Sequence, residues 1–174
     1  MRTRGFKGFL LLALVIASIV ALAIPFLSPS TVRATLTTHD PIYIEGNDNF
    51  TPANGVVAGS GTENDPYIIE NWDINAENAN GIEIRNTTAY FIIRNCLVEN
   101  GGYSHDGIYL GNVINGKIEN CTCYNDYSGI RLDSSSNNTL VNNSCSNDED
   151  GIRLDSSSYN TLINNSCSLS LIHI

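Results

Sequence analysis

The chain has 174 residues, of which 42% are hydrophobic and 16% are charged, and its formal net charge is −9. This length fits a single domain. Four of the nine basic residues precede position 35, so the rest of the chain has five basic against all 18 acidic residues, a net charge of −13. Such an acidic surface repels phosphate groups, which argues against nucleic acids and anionic membrane surfaces as partners.

The first predicted element is an apolar N-terminal segment, residues 1–34. Three basic residues precede an uncharged run from Phe9 to Leu27, and Val32 and Ala34 are spaced like the small residues before a signal-peptidase site. The pattern is typical of a secretory signal peptide. The run is also close to the ~20 residues that span a bilayer, so an uncleaved membrane anchor is the alternative. Under either interpretation we expect export, to a secreted or cell-surface location, with membrane attachment only through this segment.

Regularly spaced glycines mark a repeat in the rest of the chain. Gly107, Gly129 and Gly151 are 22 residues apart, and Gly81 precedes Gly107 by 26. The four extra residues of the first unit are expected in the loop 101–106. Each unit has two short patches of alternating apolar and polar residues, separated by Ser, Asn and Asp, which is typical of short strands joined by turns. The period predicts an all-β parallel β-helix with about 22 residues per coil.

This period also suggests a domain organisation. Residues 67–168 are predicted to form the β-helix coils, and residues 35–66 to form a segment that caps the first coil and covers its sheet edge. In the tail, residues 169–174, four apolar residues replace the expected polar turn. We interpret the tail as the point where a longer repeat protein is truncated, because terminal repeats need a polar cover.

Stacked coils place each residue directly over its equivalent in the next coil, ~4.8 Å away. The predicted inward apolar columns are Ile82, Ile108, Ile130, Ile152 and Ile92, Ile118, Leu140, Leu162. An asparagine ladder is expected at Asn95, Asn143 and Asn165, with Cys121 interrupting it. The glycine column is expected to allow a tight turn into each strand.

The five cysteines are Cys96, Cys121, Cys123, Cys145 and Cys167. Counting 16 residues from each glycine aligns Cys123, Cys145 and Cys167 with Leu97, which predicts a buried apolar stack. Two alternatives remain: a disulfide between neighbouring coils, and a Cu(I) site built from Cys121, Cys123 and Cys145.

The outward positions of the Gly-Ile-x-Leu strands supply the candidate ligand-binding residues. These are Tyr109, Arg131, Asp133, Arg153 and Asp155, in columns that begin at Glu83 and Arg85. Arginine and aspartate beside an aromatic residue suit a sugar chain or Ca²⁺. Asp133 and Asp155, one coil apart, also suit the ~5–5.5 Å carboxyl separation of a retaining glycosidase. The simpler interpretation is two solvated ion pairs within single strands, Arg131–Asp133 and Arg153–Asp155, worth about 0–1 kcal/mol each. No catalytic residue is assigned.

Two further surface features carry weaker predictions. The acidic run Asp148–Asp150 is interpreted as a solvated turn, with a surface Ca²⁺ site as the alternative. Asn-x-Ser/Thr sequences at Asn49 and Asn137 are the best glycosylation candidates of an exported chain. We otherwise expect no cofactor and no metal site.

The lines "GIRLDSSSNNTLVNNSCSND" and "GIYLGNVINGKIENCTCYND" resemble right-handed parallel β-helix repeats of the NosD type, which also occur in carbohydrate-binding proteins and sugar hydrolases. The resemblance covers roughly residues 67–168 and implies a right-handed β-helix in an exported archaeal or bacterial surface protein. We expect a non-enzymatic role, structural or polysaccharide-binding, with cell-envelope components as partners. The alternatives are a carbohydrate-active enzyme, a glycoside hydrolase or polysaccharide lyase, and a copper-handling protein of the NosD type.

Overall fold

The computed structural model describes residues 35–174, and the predicted signal or anchor segment, residues 1–34, lies outside the described residues. Short strands make up most of the described chain, with two 3-10 helices at Asn47–Asn49 and Pro52–Asn54. The first strands are β1 (Thr37–His39), β2 (Ile42–Glu45), β3 (Val56–Ala58), β4 (Tyr67–Glu70), β5 (Trp72–Asn75), β6 (Ile82–Thr87), β7 (Phe91–Arg94), β8 (Leu97–Glu99) and β9 (Ile108–Val113). The remaining strands are β10 (Gly116–Glu119), β11 (Thr122–Tyr124), β12 (Ser128–Asp133), β13 (Thr139–Val141), β14 (Ser144–Ser146), β15 (Asp150–Asp155), β16 (Thr161–Ile163), β17 (Ser166–Ser168) and β18 (Leu171–His173).

The strands form three six-stranded sheets, and each coil contributes one strand to each sheet. We call them the cysteine sheet (β1-β5-β8-β11-β14-β17), the leucine sheet (β3-β4-β7-β10-β13-β16) and the glycine sheet (β2-β6-β9-β12-β15-β18). All pairings are parallel except the antiparallel pairing of β3 with β4. The predicted fold, an all-β right-handed parallel β-helix, is confirmed.

The coil length varies along the chain. Tyr67 pairs with Phe91, a step of 24 residues, whereas Thr139 pairs with Thr161, a step of 22. The predicted period of 22 therefore holds for the last coils, while the average over the solenoid is about 24.

The four extra residues of the first repeat are divided between two turns. Three residues separate Thr87 from Phe91, whereas two separate their partners Val113 and Gly116, so the turn 88–90 holds one extra residue. The loop before Gly107 holds only the other three. The predicted single insertion is therefore wrong.

This extra residue moves by one position the alignments that follow the turn 88–90 in the first repeat. The column Ile82, Ile108, Ile130, Ile152 precedes the turn and is confirmed, with all four side chains fully buried. After the turn, Ile93 rather than Ile92 lies under Ile118, Leu140 and Leu162. The prediction for Ile92 is wrong because it alternates with Ile93 on the strand and so points to the opposite face of the sheet.

The same shift divides the predicted asparagine ladder into two columns. Asn143 is buried and donates from Nδ2 to Asn165 Oδ1 (2.9 Å), which confirms a ladder. Cys121 occupies the preceding rung, since its backbone N–H donates to Asn143 Oδ1 (3.0 Å). Asn95 is not in this column. Its backbone is left-handed (φ 53°), like that of Asn120, and Asn tolerates this conformation at the bend.

The repeated glycines are needed for close packing rather than for an unusual backbone. Gly107, Gly129 and Gly151 do not have left-handed φ values. A Cβ on Gly129 would lie 2.7 Å from Asp148 Oδ2 and 2.8 Å from Cys145 Cβ. The predicted reason, a tight turn, is therefore wrong, because the side chains of the next coil fill the space at each glycine.

Candidate functional site

The glycine sheet brings the sequence-predicted site residues together on its outer face. Tyr109 pairs with Arg131, and Arg131 with Arg153, while Asp133 pairs with Asp155. We call this surface the Arg–Asp face. Its residues are Glu83, Arg85, Tyr109, Arg131, Asp133, Arg153 and Asp155.

Arg131 is the centre of the Arg–Asp face. Its Nε and Nη2 donate to Asp155 Oδ2 at 3.2 and 3.1 Å. Nη2 is 3.8 Å from Asp133 Oδ2, and Nη1 is 3.9 Å from the buried Asp106. The closest carboxylate is thus in the next coil, whereas the sequence suggested pairing within one strand. Arg131 therefore links two coils and holds both outward aspartates.

Arg153, one coil further on, pairs with the aspartate of its own strand, as the sequence suggested. Its Nε donates to Asp155 Oδ2 at 2.8 Å, and its Nη1 donates to Asp150 Oδ2 at 3.3 Å. The hydrogen bond from Arg153 lowers the pKa of Asp155 and raises that of the guanidinium. Asp155 is therefore an ionised acceptor shared by two arginines.

Tyr109 lies flat against the sheet rather than projecting into solvent. The Arg85 guanidinium carbon is 4.4 Å from the ring centroid and that of Arg131 is 5.6 Å away. The ring covers Gly111, where a Cβ would come within 2.8 Å of Cε1. Its hydroxyl donates to Asp133 Oδ2 at 3.4 Å, and burial raises the pKa of the phenol. Tyr109 thus contributes its hydroxyl and ring edge, not an open aromatic face.

A polar hollow of about 180 Å³ opens beside Tyr109, and we call it the ladder hollow. Asn86, Asn112 and Ser134 line it together with Arg85, Tyr109 and Asp133. The first three were not predicted from the sequence. A shared sequence position could have identified them, because each directly follows an outward residue of its strand. The backbone there is left-handed and turns the side chain outward.

A second depression, of about 460 Å³, lies between residues 47–63 and the turn 88–90, and we call it the cap groove after the predicted cap segment. Asn47 and Asp48, Thr62 and Glu63, and the turn residues Thr88 and Tyr90 line it. No residue of this groove was predicted as a site residue, because none of them repeats.

A column of buried carboxyl groups lies behind the glycines. The predicted solvation of the run Asp148–Asp150 is wrong for two of its three residues, because Asp148 and Asp150 are 4% and 3% exposed. Asp126 Oδ1 accepts from the backbone N–H of Gly101 at 2.8 Å, while its Oδ2 is buried without a partner. Burial raises the pKa of Asp126 to about 8 and that of Asp148 to about 7.

The cysteines form two columns. Cys123, Cys145 and Cys167 are paired in register, but Val98 rather than Leu97 lies beneath Cys123. The prediction for Leu97 is wrong because of the extra residue in the turn 88–90. The apolar character of the column is nevertheless the predicted one, since Val98 is fully buried. All five cysteines are free thiols, and the disulfide alternative is absent from the structure.

The pKa is raised at four of the five thiols, Cys121, Cys123, Cys145 and Cys167, and is lowered at Cys96 by its hydrogen bond with Cys121. Burial, followed by the hydrogen bond with Cys96, raises the pKa of the Cys121 thiol. The hydrogen bond with Cys145 acts to lower the pKa of Cys123, but burial and Asp126 raise it to about 11. Within residues 35–174, no three His, Cys, Asp or Glu side chains converge into a group that could hold a metal ion.

The two glycosylation candidates lie on the surface. Asn49 is exposed and its Nδ2 donates to the carbonyl of Glu45 at 2.6 Å. Asn137 is exposed at a left-handed position (φ 57°). Glycosylation of either residue stays a prediction. Across the described part of the chain, no helix has the length and hydropathy needed to span a bilayer.

A family comparison agrees with this coil geometry. The family model described as the right-handed beta helix region matches residues 35–171. The chain belongs to the right-handed β-helix family. No curated protein and no solved structure matches it. Membership of the right-handed β-helix family explains the stacked columns, and the function has to be argued from the side chains on them.

Proposed function

We propose that this right-handed β-helix protein is exported and binds an uncharged polysaccharide of the cell envelope through the Arg–Asp face, without catalysing a reaction. The observation that carries the proposal is the position of Arg131, which joins the outward aspartates of two coils in one hydrogen-bonding surface.

The charge balance of the Arg–Asp face favours an uncharged ligand. Its three arginines pair with Glu83, Asp133 and Asp155 and also with the buried Asp106 and Asp150, so the face has no surplus of positive charge. Guanidinium groups only donate hydrogen bonds and carboxylates only accept them, whereas a sugar hydroxyl does both. A row of donors and acceptors without surplus positive charge therefore suits a polyhydroxylated chain. An anionic polymer would instead meet the repulsion of the surrounding surface.

The protonation of these groups supports binding rather than hydrolysis. A glycosidase needs one carboxyl that stays protonated, with a raised pKa, to act as general acid. On the Arg–Asp face the pKa of Asp155 is lowered by Arg153. The carboxyls with raised pKa, Asp106, Asp126 and Asp148, are only 5%, 2% and 4% exposed, which does not suit a general acid in contact with a substrate.

The pattern of residues 1–34 supports export. The alternative of copper handling finds less support in the thiols, because Cys121, Cys123 and Cys145 are 1%, 0% and 0% exposed, whereas reactive cysteines are typically partly exposed.

The test is retention of the purified full chain on immobilised neutral polysaccharides, glucans and mannans, compared with polyuronates. We expect retention on a neutral polymer and a loss of about tenfold or more in affinity for Arg131→Gln, since charged hydrogen bonds contribute about 1.5–3 kcal/mol each. Lys117→Gln, on the leucine sheet, is the matched control. Binding to polyuronates alone, or an unchanged Arg131→Gln variant, would overturn the proposal. Release of new reducing ends from the polymer would refute its non-catalytic part.

A further inference from the structure

The cap groove is the larger of the two depressions and has the size of a small-molecule site. Its volume of about 460 Å³ lies within the ~300–1,000 Å³ typical of such sites, whereas the ladder hollow at about 180 Å³ is smaller. The ladder hollow therefore accommodates only part of a ligand, and the cap groove has room for a further unit.

The walls of the cap groove are held by backbone hydrogen bonds. The N–H groups of Ser60, Gly61 and Thr62 all donate to the carbonyl of Asp65, at 3.0, 2.9 and 3.2 Å. The N–H of Tyr90 donates to the carbonyl of Gly61 at 3.0 Å, which fixes the turn 88–90 against this loop. The groove is thus preformed, and a ligand need not order it.

One wall is a fixed aromatic stack. Tyr67 lies parallel to Phe50, with a centroid distance of 4.6 Å and an interplanar angle of 7°. The Tyr67 ring also packs against the left-handed Gly61, where an added Cβ would lie 2.3 Å from Cε2. Tyr67 and Tyr90 are both partly exposed in the groove, and Tyr90, on the turn 88–90, is the one outside this stack.

A row of hydrogen-bonding side chains runs from the ladder hollow toward the cap groove. Asn112 Nδ2 donates to Asn86 Oδ1 at 2.8 Å, and Asn86 Nδ2 donates to Glu45 Oε1 at 2.6 Å. Asn47, in the cap groove, donates from Nδ2 to Thr88 Oγ1 at 3.3 Å and accepts from the Thr88 N–H at 3.0 Å. These amides and hydroxyls form a polar rim along the end of β6.

The two depressions are close together along the chain. Asn86 lines the ladder hollow and Thr88 lines the cap groove, with one residue between them. Two residue steps span at most about 7 Å. One extended ligand can therefore touch both.

The lining of the cap groove also excludes anions. It contains the carboxylates of Asp48 and Glu63 and no Lys, Arg or His, all within the described residues. Hydroxyls, amides and a tyrosine edge make up much of the rest. The ligand chemistry that fits is the one proposed for the Arg–Asp face, a hydroxylated chain without negative charge.

We propose that the ladder hollow and the cap groove are consecutive subsites of one binding track for a linear, uncharged glycan. This inference rests on the function proposed above for the Arg–Asp face. It adds that the solenoid binds the chain across the end of β6, from the repeated side chains of the ladder hollow to the unrepeated side chains of the cap groove.

The track predicts that affinity increases with the length of the glycan until both subsites are filled, because the second contact is made intramolecularly. The test is calorimetric titration of the full chain with graded glucose and mannose oligomers, from disaccharide to hexasaccharide. We expect Tyr90→Ala to lose about three- to tenfold in affinity for the hexasaccharide and little for the disaccharide. Arg131→Gln should lose affinity for every length.

Two further variants, one in the cap groove and one outside the track, separate the effect of the groove from a general loss of binding. Glu63→Gln alters an exposed groove residue without affecting packing and should weaken hexasaccharide binding in the same direction. Tyr124→Ala, on the cysteine sheet, removes an exposed tyrosine outside the track and should have no effect. If Arg131→Gln loses affinity while Tyr90→Ala and Glu63→Gln bind all lengths like the wild type, the track is wrong and the Arg–Asp face remains a binding site. If only the groove variants lose affinity, both the track and the role of the Arg–Asp face are wrong.

Discussion

Asp148 accepts a hydrogen bond at its Oδ1 from the backbone N–H of Asp126, one coil earlier, at 2.9 Å. Each carboxyl thus uses one oxygen to bind the preceding coil and buries the other without a partner. Burial raises both pKa values, to about 8 for Asp126 and about 7 for Asp148. In the unfolded chain both groups titrate near the ordinary aspartate pKa of about 3.9.

These shifts predict that stability falls as pH rises. Between pH about 4 and about 8 the folded state binds more protons than the unfolded state. The stabilisation is therefore fully present below pH about 4 and is lost as pH rises through about 8. Thermal unfolding should show a higher Tm at pH 5 than at pH 8.5. Asp155, whose pKa is lowered, has an opposing effect only below pH about 4.

Neutral variants should remove this pH dependence. Asp126→Asn and Asp148→Asn keep the Oδ1 acceptor and cannot ionise, so each should flatten the dependence of Tm on pH. Asp40→Asn, at an exposed position, should retain the wild-type slope. A pair of buried-site variants with an undiminished slope would show that these carboxyls are not its source.

The cysteine column predicts that Cys123 is replaceable by an apolar residue of similar size. Val98 occupies the rung below it, so Cys123→Val should change the free energy of unfolding by less than about 1.5 kcal/mol. Cys123→Ser should cost about 1–3 kcal/mol, because the hydroxyl would be buried in apolar surroundings. Urea denaturation under reducing conditions measures both. A serine variant as stable as the valine variant would contradict the packing role.

The glycine column predicts a steric penalty for any added side chain. In Gly129→Ala the new Cβ would lie 2.7 Å from Asp148 Oδ2 and 2.8 Å from the carbonyl oxygen of Gly151. We expect a loss of about 1–3 kcal/mol in the free energy of unfolding. Gly102→Asn is the control, because Gly102 has open space around it and a left-handed φ that Asn tolerates. Equal losses for the two variants would rule out the close approach as the cause.

The sequence was sufficient to predict the fold because equivalent positions of successive coils carry similar residues. The inward and outward positions found in one coil therefore apply to the next. The column from Ile82 to Ile152, and the outward columns through Arg131 and Asp133, follow from the glycine spacing alone. The alignments of Ile92 and Leu97 failed for a local reason: the turn 88–90 has one residue more than its counterpart, and no repeated motif marks it.

The burial of Asp148 and the cap groove could not be predicted in the same way. A run such as Asp148–Asp150 suggests solvation by composition. Only the structure shows that Asp148 is buried beside Gly129 and that Asp150 is buried beside Arg153. The cap groove is built from Asn47, Glu63 and Tyr90, which have no repeated equivalents. The sequence period therefore predicts the residue positions that every coil shares. It does not predict contacts that occur only once along the chain.

Substitution of two adjacent asparagines, Asn142 and Asn143, should change the free energy of unfolding by very different amounts. Asn143 is buried, and its side chain donates to the carbonyl of Ile118 (3.0 Å) and accepts from the N–H of Cys121 (3.0 Å). Asn143→Ala leaves both backbone groups unsatisfied and should cost at least about 2 kcal/mol, at 1–3 kcal/mol for each buried group. Asn142 is exposed and left-handed (φ 54°), so Asn142→Gly should be nearly neutral because glycine adopts this conformation without strain. Urea denaturation measures the free energy of unfolding of both variants. Comparable losses would show that the buried ladder does not stabilise the fold more than the exposed bend beside it.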